Sequence, residues 1–275
     1  MINVTAVKKS NITKNIFLLC LFTLAIPLFA HEFWLQPDKF IYKRGDNVNV
    51  KFLVGENFEG DNWSGNITKV KSLKLYFLDV EDDLSAQLSE NKGDSLHFSF
   101  YDECTAMVTF NSTNSFISLG AKKFNDYLIE DGLQNAIDYR KQNNETDSSS
   151  REFYQRSVKT IFQVGAKKNN VSVVTGLPLD IIPQLNPYTL KSNDSLSLQI
   201  LFNKQPLLNN VIKVWHRYHN KTILQQLTTD VNGKIKIKIT TNGKWMVSTV
   251  KMEHIDNNEK ANWQSFWGSC TWGYE

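Results

Sequence analysis

Beyond residue 30, apolar side chains recur at every second position. Val48, Val50, Phe52 and Val54 alternate with Asn47, Asn49, Lys51 and Leu53. Leu73, Leu75 and Phe77 alternate with Lys74 and Tyr76, and Leu96, Phe98 and Phe100 with His97 and Ser99. A period of two sets one group of side chains on one face of an extended chain, which is the pattern of half-buried strands. Arg44-Gly45-Asp46 supplies a turn before the first of these runs. After residue 190 the pattern becomes regular: strands are expected at 196–202, 211–218, 223–229, 234–240 and 245–251, with a hairpin turn at Asn232-Gly233.

Two stretches break the period. Phe124, Tyr127, Leu128, Leu133, Ala136 and Ile137 recur at spacings of three and four, which predicts one or two short helices broken near Gly132. The polar tract 141–151 reads as a mobile loop. Gly176, Pro178, Pro183 and Pro187 crowd the stretch 175–190, and Pro-rich connections mark domain boundaries. The expectation is therefore a mainly β chain of two packed β-sandwich domains. Residues 31–185 form the first, with a helical and loop insertion at 121–155. Residues 186–275 form the second, immunoglobulin-like or prealbumin-like.

The first 30 residues differ in kind. Lys8, Lys9 and Lys14 precede the apolar run 16–29, and no acid is present. Such a run rises about 21 Å as a helix, short of the roughly 30 Å hydrocarbon core of a bilayer. Residues 1–30 read as a secretory signal peptide ending at Ala30, with Leu28 where a small residue is usual; an uncleaved signal anchor is the alternative. Export implies the periplasm or the cell surface of a Gram-negative bacterium. The formal net charge of +3 resides in this leader, and the remainder balances 28 basic against 28 acidic side chains. A neutral body carries no footprint of nucleic-acid binding. Cys104 and Cys270 remain after the leader, and either a pair or two buried thiols is consistent with their spacing.

Cleavage after Ala30 makes His31 the first residue. Its α-amine and ring Nδ1 then chelate one ion, and such nitrogen donors suit Cu(II), Ni(II) and Zn(II). Two further histidines are candidates for a third ligand, His254 after the last expected strand and His216 in Trp215-His216-Arg217-Tyr218-His219. On a strand His216 and His219 point to opposite faces, so joint chelation requires a turn before His219. His97, alternating with apolar neighbours, is expected in solvent. The tryptophans Trp34, Trp63, Trp215, Trp245, Trp263, Trp267 and Trp272 are expected in packing rather than on a sugar-binding surface, with Trp263, Phe266 and Trp267 anchoring the C-terminus. No GxSxG, HExxH, P-loop or GxGxxG occurs.

Several motifs in one order carry a resemblance. His31-Glu32-Phe33-Trp34-Leu35 opens the mature chain, followed by Val54-Gly55-Glu56-Asn57-Phe58, Arg151-Glu152-Phe153-Tyr154, Gly176-Leu177-Pro178-Leu179-Asp180, Gly243-Lys244-Trp245 and Asn262-Trp263-Gln264-Ser265-Phe266-Trp267. Together they resemble the bacterial family of secreted domains of unknown function grouped with nickel-uptake (NikM-like) periplasmic components. The resemblance spans essentially the whole mature chain. It implies a β-rich periplasmic or cell-surface protein that handles nickel, cobalt or another transition metal beside an outer-membrane receptor or an inner-membrane importer. Lys251-Met252 departs from it, because a histidine often precedes that methionine in the family.

Three functions follow as expectations. The first is a non-enzymatic accessory protein that binds nickel, cobalt or copper through His31 with His254 or His216, Glu32 orienting the site. The second is a non-catalytic interaction or glycan-binding module. The third is a copper oxidase-type enzyme built on the N-terminal histidine.

Overall fold

Alternation translates directly into strands. In the computed structural model, which describes residues 31–275 apart from 92 and 94, the chain is mainly β. The expected leader lies outside the described residues. The first half builds β1 (Glu32–Pro37), β2 (Ile41–Tyr42), β3 (Asn47–Glu56), β4 (Glu59–Asn62), β5 (Val70–Phe77), β6 (Val80–Asp83), β7 (Leu96–Ser99), β8 (Cys104–Ser112) and β9 (Ser115–Leu119). Helices α1 (Ala121–Glu130) and α2 (Gln134–Gln142) follow, broken at Gly132 as their periodicity requires, and then the long β10 (Ser150–Val164). The second half builds β11 (Leu179–Pro183), β12 (Ser195–Phe202), β13 (Gln205–Pro206), β14 (Val211–Tyr218), β15 (Lys221–Thr228), β16 (Lys234–Lys238), β17 (Lys244–His254) and β18 (Trp263–Gly273). Among the described residues no helix is long and apolar enough to cross a membrane.

One sheet of ten strands runs through both halves, in the order β15-β14-β17-β18-β10-β8-β5-β6, with β2 and β9 also on β10. The halves meet where β10 pairs in parallel with β18, from Glu152 opposite Trp263 to Thr160 opposite Thr271. Two four-stranded sheets cover it. The sheet of β1, β3, β4 and β7 buries Phe33, Leu35, Val48, Val50 and Phe52 against Ala106, Val108, Phe110, Val158 and Phe162. The sheet of β11, β12, β13 and β16 buries Ile181, Leu196, Leu198, Ile235 and Ile237 against Val214, Val247, Cys270 and Trp272. On β10 Val158 and Phe162 belong to the first core and Ile161 to the second, so the small sheets lie on opposite faces of the large one. The result is two sandwiches that share a central layer.

The boundary expected near 186 falls between β11 and β12, which are hydrogen-bonded to each other. Asn186 there is tied down: its Nδ2 donates to Thr105 Oγ1 at 2.6 Å and to Asn169 O at 2.8 Å. The C-terminal aromatic cluster is itself a strand, β18. Its glycines let neighbours approach: a Cβ at Gly268 would meet Leu179 Cγ at 2.8 Å. Cys104 and Cys270 are free thiols. They serve the two different cores, on opposite faces of the large sheet and with β10 between their strands, a placement that forbids a bond of disulfide reach.

Candidate functional site

The start of β1 enters the seam between the small sheet and the helices. Glu32 pairs with Gly55 of β3, which sets His31 level with Glu56. His31 Nδ1 lies 3.8 Å from Glu56 Oε1, and the imidazole is 37% exposed. Although the ring is partly open, Nδ1 itself is shielded from solvent and has no hydrogen-bond partner among the described residues. Beside it is a cavity of about 230 Å³ lined by Glu32, Glu56, Asn57, Glu130, Lys213, Trp215, Leu224 and Gln226. Trp215 pairs with Leu224, and Lys213 with Gln226, across β14 and β15. These side chains therefore share one face of the large sheet.

One buried lysine holds the floor of this cavity. Lys213 Nζ lies 2.5 Å from Asp131 Oδ1 and 3.8 Å from Glu32 Oε1. Asp131 closes α1, and the chain turns there through Gly132 at φ +65°, where a Cβ would strike Val211 Cγ2 at 2.4 Å. Glycine is thus required both for the left-handed turn and for the close approach that brings Asp131 to β14.

Charge is dense here and water is scarce. Burial pushes the Glu32 carboxyl up to about 7 against the pull of Lys213, with the Asp131 charge adding to the rise. Burial likewise pushes Asp131 up to about 6 although Lys213 opposes it. Burial acts to lower Lys213, but Asp131 and Glu32 outweigh it and hold the ammonium charged beyond its ordinary range. Nearby, Glu152 is buried with no cation among the described residues acting on it. It accepts from Tyr127 Oη at 3.3 Å and from Ser265 Oγ, and burial pushes it up to about 7. Against Lys213 the site sets Glu32, Glu56, Glu130 and Asp131, an excess of carboxylates that favours a cation.

The other candidate ligands are elsewhere. His216 faces the second core, away from Lys213 and Trp215: it stacks on Trp245 at 4.2 Å, and its Nε2 is 3.1 Å from Asn242 O. β14 does end at Tyr218, and His219 is exposed in the turn, but the His216 ring is held by these neighbours. His254 stacks on Tyr139 of α2 at 4.1 Å, with Nδ1 3.0 Å from Asp256 Oδ1. It lies six residues along β17 from Ser248, the serine that hydrogen-bonds Glu32, a separation of about 20 Å at strand rise. Neither histidine is brought to His31: His216 packs on Trp245 and His254 on Tyr139. Among the described residues no three His, Cys, Asp or Glu side chains are gathered closely enough to hold an ion by themselves.

His97 is exposed as expected, 2.8 Å from Ser95 Oγ. Of the tryptophans, Trp267 alone is half-buried, stacked on Tyr127, and the rest are buried. Residue spacing gave no hint of Glu130, Asp131 or Lys213, which arrive from a helix end and a strand far apart in the chain. Glu56 did sit in a recognisable segment, Gly55-Glu56-Asn57.

Comparison with known proteins adds the following. Residues 28–253 match the family described as domain of unknown function (DUF4198). No curated protein sequence matches the chain. Among solved structures, the three N-terminal domains of the bacteriophage RB49 highly immunogenic outer capsid protein (Hoc) are similar at 14% identity and a TM-score of 0.19, over 88% of this chain and 59% of that one. Escherichia coli alpha-2-macroglobulin activated by porcine elastase is similar at 10% identity and a TM-score of 0.21, over 89% of this chain and 20% of that one. The chain thus spans less than two thirds of either neighbour, and at these TM-scores neither informs the site.

Proposed function

The chain belongs to DUF4198, a family of domains of unknown function, and on that premise we propose that it is an exported accessory protein whose N-terminal histidine binds a transition-metal ion, nickel, cobalt or copper, in support of uptake. The observation that carries this reading is His31 Nδ1, shielded, unpartnered and beside the Glu56 carboxylate. A buried ring nitrogen without a partner costs about 1–3 kcal/mol, and a bound cation removes that cost. Cleavage after Ala30 places an α-amine on the same residue, so amine, Nδ1 and the Glu56 carboxylate supply two nitrogens and one oxygen to one ion. That donor set fits Ni(II), Co(II) and Cu(II).

The surrounding residues have separable roles. Glu32 turns its carboxyl to Lys213 and Ser248, so it acts on the field at the site and on the path of β1 rather than as a ligand. Glu56 and Glu130 give the cavity its negative potential, which raises local cation concentration. Lys213 is occupied by Asp131 and does not compete for the mouth. The bound ion would pass between an outer-membrane receptor or inner-membrane importer and this carrier, as the nickel-uptake resemblance implies.

Calorimetric titration of exported, cleaved protein with Ni(II), Cu(II) and Zn(II) tests the reading. One ion per chain, lost in His31→Ala and weakened in Glu56→Gln, supports it. Binding unchanged in His31→Ala overturns it.

A further inference from the structure

The two ends of the large sheet are finished differently. At one end β6 is Val80-Glu81-Asp82-Asp83, exposed throughout. Three acids in four residues repel any second strand, a common protection of sheet edges. At the other end the strand β15 is guarded only by Lys221, at its first position. From Thr222 to Thr228 it carries no charge and no proline. Its register with β14 is continuous from Tyr218–Lys221 to Val211–Thr228, so no bulge turns it away. Most of its residues are exposed, including Ile223 at 53% and Leu224 at 44%. The hairpin end is also held in place: Arg217 Nη1 and Thr222 Oγ1 both donate to Asn57 O, at 2.6 Å and 3.1 Å.

The sequence of this edge nearly repeats itself when reversed. With two antiparallel copies centred on Gln225, Thr222 faces Thr228, Ile223 faces Leu227, Leu224 faces Gln226 and Gln225 faces itself. Each off-centre pair occurs twice by symmetry, as an isologous interface requires. The Ile223–Leu227 pairs are apolar, the threonines and the glutamine amides hydrogen-bond to their like, and no like charges meet, since Lys221 faces Thr229. Leu227 already packs against the second core, so the apolar pairs extend that core across the two-fold axis.

We propose that β15 is the contact between two copies of this chain, an antiparallel two-fold strand pairing that continues the large sheet through a dimer. Leu224 and Gln226 are also walls of the acidic cavity. The pairing therefore brings two cavities side by side, with the partner's Gln226 against Leu224 of each. The pairing stands independently of whether the cavity binds metal.

Light scattering on the purified exported protein, with cleavage before His31 verified by mass spectrometry, is expected to give the mass of two chains. Gln225→Lys places two ammonium groups face to face and is expected to give one chain, with an unchanged far-UV spectrum because Gln225 is exposed. Gln225→Cys is expected to cross-link to a dimer under mild oxidation, whereas Thr222→Cys, which faces Thr228, stays uncrosslinked. Cys104 and Cys270 are buried and do not interfere. A single-chain mass for the parent protein overturns the proposal. So does a dimer that survives Gln225→Lys, or cross-linking by Thr222→Cys as efficient as by Gln225→Cys.

Discussion

Lys213 of β14 and Asp131 at the end of α1 are 82 residues apart in the chain, yet Nζ and Oδ1 lie 2.5 Å apart with almost no access to water. The same ammonium lies 3.8 Å from Glu32, at the start of β1. One side chain therefore ties the helical insertion, the first strand and β14 of the large sheet into the floor of a single cavity.

Lys213→Met is expected to lose about 3–5 kcal/mol, because it leaves buried acids without their cation. The loss should shrink near pH 5. Asp131 and Glu32, held at about 6 and about 7, can then take up protons. Adding Asp131→Asn and Glu32→Gln to Lys213→Met should recover most of the stability. Urea unfolding of the set at two pH values measures this, and an equal loss at both contradicts it.

Glu152 gives a pH dependence of its own. Its carboxyl is raised from 4.5 to about 7 in the folded chain, mainly by burial. The folded state thus binds this proton more tightly than the unfolded state. The contribution is complete below about 4.5 and is lost as pH rises through about 7, a loss of order 3 kcal/mol at about 1.4 kcal/mol per unit. Glu152→Gln keeps an acceptor for Tyr127 and Ser265 but has no proton to lose. Its denaturation midpoint is expected to fall less than that of the parent between pH 5 and pH 8. Identical slopes would show that Glu152 titrates as an ordinary carboxyl.

Lys159 of β10 and Asp180 of β11 form a fully buried ion pair, and Asp180 also accepts from Thr175 N at 2.8 Å and Thr175 Oγ1 at 3.0 Å. Lys159→Met alone should cost about 3–5 kcal/mol, while Lys159→Met with Asp180→Leu should cost little, since desolvation offsets most of the gain from such a pair. A double-mutant cycle by chemical denaturation measures the coupling, and additive single losses contradict it.

Much of the fold was legible where one face of a strand meets solvent. β3, β12 and β16 alternate visibly, and α1 and α2 break at Gly132 as their spacing indicates. β8 was not legible because every one of its nine residues is buried, so nothing alternates. β18 hid behind small residues and glycines: Gly268 and Gly273 sit where Leu179 and Phe40 press against the backbone, and such residues read as turns when the neighbour is unknown. At the candidate site His31 stood out only as the residue after the expected leader. The acids around it were not, because Glu56, Glu130 and Asp131 come from a strand end and a helix end with no fixed spacing. His216 and His254 drew attention as metal-binding residue types, but each packs against an aromatic ring, Trp245 and Tyr139. Residue type alone does not distinguish a packed imidazole from a ligand.

The central claim is that the amine and ring of His31 hold an ion together. The most direct test adds one residue before His31, which leaves every side chain of the cavity in place and removes only the chelating amine. Isothermal titration with Ni(II) and Cu(II), on protein whose first residue is verified by mass spectrometry, is expected to show affinity at least tenfold weaker in the extended protein, about 1.4 kcal/mol or more. Equal affinity in the two proteins would contradict an N-terminal site.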